Sequence, residues 1–594
     1  MKLKEFLNRK NAGVAKGWRL IVGYLGAFLM LIGLIVLIPM VMIIFFPQEN
    51  AAWSSFLITG LLAILIGFLV YYFCLAGAEK GKLEKHQDAL LLVLLWLMAL
   101  FVGALPFFLH GHLVQGAYKY TFIESLFEST SGFTTTGLTI YRHFLDRYMD
   151  ASGVWHDIEI GTDAEIVTSS MVLNCPHIFI FYRSVLHFFG GVGLVLIAAS
   201  AISDAHGMKL YTAEGHNDKL LPNLKKSSRL ILTIYAGYIL AGTIALWLFG
   251  MDWFDALQHS VASLATGGLS SRSTSLYYFI NPDNIASYQS AYAGVGSGCV
   301  FSNLSGYNGV MPINTMGMEI TGVILMLLGA TNFMIHTELF TAKFKQFFRD
   351  IEIRLVIFLF AVGVPLMMIG TLSQWSGPGT ITFGAAFRYS VFQFVSCLTT
   401  TGFSNVKTIL YLGPSVLFLS VVTMSVGGGI GSTAGGVKQY RAALCLKEVW
   451  WEIKYHASSK MALNPKPYYR FGVRKQLSDS EFKDVSQFSI AYITSIFIGA
   501  TVVALLPTVT FDQAIYEVSS ALSSAGNSMI DFLDYSAQAV AANRVWSYNL
   551  LLSICVIYMY LGRLEILPVF YAASSIIHSA RGAAHSKGGI TYAD

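Results

Sequence analysis

The sequence predicts an all-α integral membrane protein in which four pseudo-symmetric helix–half-helix–helix units surround a central pore, preceded by two accessory transmembrane helices. Three observations carry that expectation. Of 594 residues, 55% are hydrophobic and only 12% charged, whereas soluble proteins typically carry about 25% charged residues. Apolar runs of the roughly 20 residues needed to cross a bilayer recur along the chain. One short Gly/Thr/Ser segment also recurs four times in register.

The four copies are Phe133-Thr134-Thr135-Thr136-Gly137-Leu138-Thr139, Leu264-Ala265-Thr266-Gly267-Gly268-Leu269-Ser270, Leu398-Thr399-Thr400-Thr401-Gly402-Phe403-Ser404 and Leu522-Ser523-Ser524-Ala525-Gly526-Asn527-Ser528. Aligned on Gly137, Gly268, Gly402 and Gly526 they need no gap, and their spacing marks one structural unit repeated four times. Such a segment, repeated around a four-fold axis, can place backbone carbonyls where a dehydrated cation needs oxygen ligands. Glycine at the fixed position permits dihedrals that a side chain forbids. The candidate filter residues are therefore Thr135, Thr136 and Gly137; Thr266, Gly267 and Gly268; Thr400, Thr401 and Gly402; and Ser524, Ala525 and Gly526.

Ten spanning runs lie near 19–46, 53–76, 88–109, 178–201, 230–250, 317–336, 353–373, 411–445, 486–508 and 546–578. Four shorter apolar stretches, one before each filter glycine, read as half-helices whose negative dipole ends favour a cation. The first run is longer than the apolar part of a cleavable signal peptide. Its basic flank (Lys2, Lys4, Arg9, Lys10, Lys16, Arg19) places the N-terminus inside by the positive-inside rule. Alternate loops agree: Lys80, Lys82 and Lys85; Lys209, Lys219, Lys225, Lys226 and Arg229; Lys343, Lys345, Arg349 and Arg354; the cluster from Lys438 to Lys483; and Arg581 with Lys587. Both termini are thus expected in the cytoplasm. The net charge of +5 reflects this loop asymmetry and gives no reason to invoke nucleic acid.

Taken in order, residues 1–86 hold the accessory pair. Unit one covers 87–205 with an outside insertion at 141–174, and unit two covers 206–340 with one at 271–316. Unit three covers 341–450, residues 451–484 form a cytoplasmic linker, and unit four covers 485–594. Cys175, at the end of the first insertion, and Cys299, in the second, are expected outside, where an oxidising compartment permits a disulfide; two unpaired thiols is the simpler reading. Cys74, Cys397, Cys445 and Cys555 read as small apolar packers.

Nine residues before each filter glycine stands a polar side chain: Glu128, His259, Gln393 and Glu517. Either it hydrogen-bonds the back of the filter loop, or it marks the wet outer end of the half-helix. His259 has no second ligand at zinc-like spacing.

The second helix of unit three is interrupted at 425–438 by Gly427, Gly428, Gly429, Gly431, Ser432, Thr433, Gly435 and Gly436. Each glycine costs a helix about 1 kcal/mol relative to alanine, and non-helical backbone at membrane depth is tolerated where it lines a cavity. This stretch is the candidate gate. It lacks the G-x-x-x-x-G-K-[ST] spacing of a phosphate loop. Arg563, deep in the last helix, is costly there and points to an ion pathway; the loop carbonyls are its expected partners, and snorkelling to the membrane edge is the competing reading.

The filter segments, the stretch Gly428 to Lys438, Tyr182-Arg183-Ser184 leading to Gly190-Gly191-Val192-Gly193, and Gly562-Arg563-Leu564-Glu565-Ile566 together resemble the TrkH/KtrB potassium transporters, from about residue 88 onward. The resemblance implies potassium (K+) held at the filter carbonyls and uptake through a gated, channel-like pore in the cell inner membrane. It also implies a homodimer and a cytoplasmic nucleotide-binding regulatory ring of the TrkA type. No cofactor is expected on this chain, since nothing in it resembles a nucleotide-binding domain. Coupled uptake with sodium or protons is the alternative. An intramembrane enzyme is remote, because no catalytic arrangement falls at membrane depth. Gly267 before Gly268, and Asn527 where an apolar residue is usual, are departures expected to loosen selectivity.

Overall fold

The computed structural model describes residues 14–47, 52–76, 78–80, 87–114, 119–140, 147–149, 155–157, 172–173, 176–193, 224–272, 274–280, 314–457 and 465–574. Cys175, Cys299, most of both insertions, and the basic residues Lys2, Lys4, Arg9, Lys10, Arg581 and Lys587 lie outside the described residues.

Two long helices, Gly17–Leu37 and Trp53–Leu75, pack against one another before the first unit. Their contact is close because small residues meet: a Cβ on Gly26 would fall 2.9 Å from the Gly67 carbonyl oxygen, and one on Gly33 only 2.8 Å from that of Gly60. In lipid, where apolar burial offers no net drive between helices, such close backbone approach supplies the packing energy. Phe56 then joins the pair to unit one, with ring centroids 4.9 Å from Phe179 and 5.1 Å from Tyr182.

Each unit opens with a helix: Gln87–Leu113, Leu224–Leu248, Ile351–Gln374 and Asp479–Ala504. A half-helix follows: Phe122–Phe133, Trp253–Leu264, Phe383–Leu398 and Phe511–Ser523. Polar side chains start all four. The amide of Thr121 donates to Glu124 at 2.8 Å and that of Thr510 to Gln513 at 3.1 Å, while Asp252 and Thr382 accept from Phe254 and Ala385. These caps satisfy amides that helix geometry leaves open.

The second helices are His177–Val192, Thr315–Ala330, Pro414–Val426 and Val545–Arg563. Among the described residues, seven helices are long and apolar enough to cross a membrane. The spans expected at 178–201 and 411–445 are not continuous: they yield helices of 16 and 13 residues that stop at Gly193 and Gly427, both at positive φ. The span expected at 317–336 also breaks. Thr331 leaves the helix, Asn332 caps the next one with a 2.8 Å bond to the Met334 amide, and Phe333–Phe340 departs at 114°. In unit four the break falls at Glu565 and Ile566, whose φ angles are +57° and +52°. Units two, three and four thus interrupt the second helix, unit one ends its own at Gly193, and glycine marks the position in units one and three.

Residues 451–484, expected as a linker, include an antiparallel hairpin, Pro467–Arg470 with Val473–Gln476. Its buried Tyr468 hydroxyl lies 2.9 Å from that of Tyr440. Tyr440 belongs to helix Gln439–His456, which follows the glycine loop.

Candidate functional site

All four half-helices end in the same way. Thr135, Thr266, Thr400 and Ser524 adopt left-handed φ angles of 53°, 49°, 52° and 54°. The next amides, of Thr136, Gly267, Thr401 and Ala525, each reach back five residues at 2.9 Å, to Ser131, Ala262, Ser396 and Ser520. This double-bonded helix end satisfies carbonyls that would otherwise be orphaned. It usually carries glycine at the left-handed position, since a β-branched side chain is strained there. In units one and two the threonine hydroxyl donates to the preceding carbonyl, Thr135 to Thr134 at 2.7 Å and Thr266 to Ala265 at 2.8 Å.

The filter glycines follow at φ of +92°, +74°, +82° and +74° for Gly137, Gly268, Gly402 and Gly526. Their surroundings close a ring. A Cβ on Gly137 would strike the carbonyl oxygen of Gly267, one on Gly268 that of Thr401, one on Gly402 that of Ala525, and one on Gly526 that of Thr136. Each glycine thus lies against the carbonyl preceding the glycine of the next unit, in the cyclic order one, two, three, four. A single outer cavity is lined by all four glycines, together with Ser270, Ser404, Ser528, Arg272, Lys407 and Asp531. The twelve filter residues expected from the sequence are brought together at one constriction.

The polar residues behind the ring are buried, and the wet-end reading falls away. Glu128 accepts from the Thr139 hydroxyl at 2.6 Å and the Ile140 amide at 2.7 Å. His259 Nε2 lies 2.9 Å from Ser270 Oγ. Glu517 accepts from Ser528 Oγ at 2.6 Å and from the amides of Met529 and Ile530 at 2.6 and 2.9 Å. Three of the four therefore hold the strand leaving their own filter; Gln393 does not. Gly267 has a packing reason as well: a Cβ there would lie 2.6 Å from the buried His187 ring of unit one.

The glycine loop sits directly against the inner side of this ring. Gly435 donates its amide to Thr400 Oγ1 at 2.8 Å, and Thr433 Oγ1 lies 3.0 Å from Thr266 Oγ1. Thr433 Oγ1 also lies 2.9 Å from the Gly329 carbonyl oxygen and 3.1 Å from that of Leu264. A Cβ on Gly435 would strike the Ser523 carbonyl. Other expected gate residues face away from the filter: Gly429 donates to Ala330 at 2.9 Å, and Ser432 Oγ donates to Gly429 at 2.7 Å. Gly427, Gly431 and Gly436 supply positive φ at the turns, and a Cβ on Gly428 would meet that of Ala434.

Arg563 reaches two carbonyls across the constriction. Its Nη1 donates to Thr433 of the loop at 3.4 Å and its Nη2 to Gly190 of unit one. The guanidinium also lies 5.5 Å from the Trp96 ring centroid. Glu565, on a different face, pairs with Arg441 at 2.6 Å, which anchors the helix after the loop to the break in unit four.

The sequence reading missed three contributors. Buried Glu352, at the start of the third unit's first helix, accepts from the Ile430 amide at 3.4 Å. Arg183 joins filters one and two, donating to Thr139 Oγ1 at 3.0 Å and to the Ser270 carbonyl at 3.2 Å. Gly190, Gly329 and Gly562 each lie against a half-helix carbonyl four residues before their unit's filter glycine.

Comparisons with known proteins converge on one family. The TrkH family model, a cation transport protein, matches residues 301–582. The Trk system potassium uptake protein TrkH of Escherichia coli is 30% identical over 420 residues, covering 68% of this chain and 70% of that protein. An uncharacterized cation transporter of Methanocaldococcus jannaschii is 26% identical over 553 residues, covering 92% and 93%. The crystal structure of the potassium transporter TrkH from Vibrio parahaemolyticus matches with a TM-score of 0.67 at 22% identity, covering 93% of this chain and 98% of that one. This last likeness concerns the fold.

Proposed function

This chain belongs to the TrkH family of cation transport proteins, and we propose that it takes up potassium across the cell membrane through a gated, channel-like pore. The observation that carries the proposal is the cyclic ring in which each filter glycine abuts the carbonyl of Thr136, Gly267, Thr401 or Ala525. A cation entering so narrow a constriction must shed water, and carbonyl oxygens fixed by four helix ends replace that water with little reorganisation. Serine and threonine hydroxyls satisfy backbone groups behind and below the ring, so the carbonyls of residues 136, 267, 401 and 525 are the ones we assign to the ion. The aligned C-terminal dipoles add a favourable field for positive charge.

Below the ring, the loop at 427–436 is the gate in this reading. Thr433 and Gly435 plug the inner side of filters two to four, and Arg563 ties the loop to unit one while placing a positive charge on the exit route. Opening would require these hydrogen bonds to break together. The chain works as a multi-pass protein of the cell inner membrane with cytoplasmic termini, as a homodimer, and under control of a nucleotide-binding ring of the TrkA type. The E. coli relative's name, a Trk system protein, supports control by further components.

Rubidium against sodium uptake into liposomes tests the function: rubidium flux should exceed sodium flux, and equal fluxes would overturn the reading. Arg563→Ala tests the gate. Hydrogen bonds to a charged group contribute about 1.5–3 kcal/mol, so losing this latch should shift the closed–open balance about tenfold or more and raise flux. Lower or unchanged flux in folded protein would remove Arg563 and the loop from the gate.

A further inference from the structure

Behind filters three and four lies a buried polar cluster that the permeation route does not use. Gln393 occupies the position held elsewhere by Glu128, His259 and Glu517, but it does not reach its own return strand. Its Nε2 donates instead to Cys397 Sγ at 3.2 Å and to Ser420 Oγ at 3.4 Å. Cys397 Sγ also accepts from Asn527 Nδ2 at 3.3 Å. Asn527 directly follows Gly526, so the thiol links the end of half-helix three to the residue next to filter four. Gln393, Cys397, Ser420 and Asn527 are all buried, with Asn527 at the edge of the outer cavity.

Both ends of this link bear on the ring. The Cys397 carbonyl accepts from the Thr400 amide at 3.1 Å, which fixes the left-handed turn of filter three. Asn527 lies one bond from the glycine of filter four. Gly402 and the Ala525 carbonyl meet at the joint between these two filters, so movement at either end of the strut opens or closes that joint. Sulfur is a weak acceptor, which makes this joint more compliant than the one that Arg183 holds between filters one and two.

We propose that Asn527 and Cys397 are specificity-determining positioning residues: together they hold filters three and four at the spacing that suits dehydrated potassium and disfavours sodium. The proposal rests on the potassium reading above. It also reverses what the sequence implied for Asn527. An amide at this position tightens the filter, because its side chain lies behind the ring and is paired.

The test compares rubidium and sodium uptake in liposomes carrying the wild type, Asn527→Leu, Cys397→Val and Cys397→Ser. One hydrogen bond contributes about 0.5–1.5 kcal/mol, so the leucine and valine variants should lower the rubidium-to-sodium flux ratio by about two- to tenfold. Cys397→Ser, whose hydroxyl accepts the same N–H, should stay within about twofold of wild type. General damage would lower both fluxes and leave their ratio alone. An unchanged ratio in folded Asn527→Leu and Cys397→Val overturns the proposal, as does a serine variant that loses selectivity as the valine does. Should Asn527→Leu fail to fold, Asn527→Ser, too short to reach the thiol, is read in its place. A wild type that does not prefer rubidium overturns the potassium reading and this proposal with it; a selective wild type with unchanged variants overturns this proposal alone.

Discussion

Units one and four place the same residue at the same point behind the filter and then diverge. Glu128 and Glu517 are both fully buried, and each accepts hydrogen bonds from the strand leaving its filter. Glu128 also faces a cation, with Arg183 Nε at 3.6 Å from its second oxygen. The second oxygen of Glu517 has no hydrogen-bond partner among the described residues. Backbone and hydroxyl donors are therefore sufficient to hold the carboxyl group in place. The arginine of unit one does a further job: it extends the carboxylate's grip across the unit boundary to Ser270. Unit four keeps its carboxyl group for internal use, and its boundary with unit three is left to a neutral thiol.

Removing the arginine gives the largest effect this comparison predicts. Arg183→Met would strand Glu128 as a buried, uncompensated charge, which costs about 3–5 kcal/mol. The expected readout is a clearly lower thermal unfolding midpoint of the detergent-solubilised protein. A second substitution, Glu128→Gln, should recover part of the loss by removing the stranded charge. If Arg183→Met unfolds like the wild type, the charge pair contributes nothing and the two units are equivalent after all.

The four-fold ring was legible in the sequence because a positive φ at a close backbone approach leaves glycine as the residue that fits, and that requirement repeats at Gly137, Gly268, Gly402 and Gly526. The glycine loop was legible for a related reason, since six glycines in ten residues cannot sustain a helix. The breaks in units two and four were not. Thr331-Asn332 turn out of the helix in ordinary extended backbone with a local Asn332 cap, whereas Glu565-Ile566 adopt left-handed backbone beside the distant Arg441 pair. A left-handed φ at a β-branched residue such as Ile566 is strain that the surrounding fold imposes, and no local pattern announces it. The cross-unit struts were hidden for a different reason. Arg183 and Ser270 are 87 residues apart, and Cys397 and Asn527 are 130 apart. Read singly, Arg183 belonged to a family motif, Ser270 to a filter copy, Cys397 to apolar packing, and Asn527 to a departure expected to loosen selectivity.

A middle-sized effect is expected from Glu517→Leu, which removes the acceptor shared by Ser528, Met529 and Ile530. Buried donors left unsatisfied cost about 1–3 kcal/mol. The loss should appear as a lower unfolding midpoint together with reduced rubidium flux, because the strand after Gly526 loses its anchor. An unfolding midpoint equal to wild type would mean that this strand is held by other contacts.

The smallest effect is expected from Glu517→Gln, and setting it beside Glu128→Gln gives the sharpest contrast. Glu517→Gln keeps an amide oxygen to accept from Met529 and Ile530, and it forfeits no charge partner, so the change should stay below about 1 kcal/mol. Glu128→Gln keeps the same acceptor geometry but leaves Arg183 buried without its counter-charge, at a cost of about 3 kcal/mol or more. Thermal unfolding of the two variants side by side separates the contributions, since the local hydrogen bonding is matched and only the ion pair differs. Equal midpoints would show that Arg183 is satisfied by Thr139 and Ser270 alone. A larger loss at Glu517 would show that its carboxylate is charged and engaged in the folded protein, and the comparison between the two units would then be inverted.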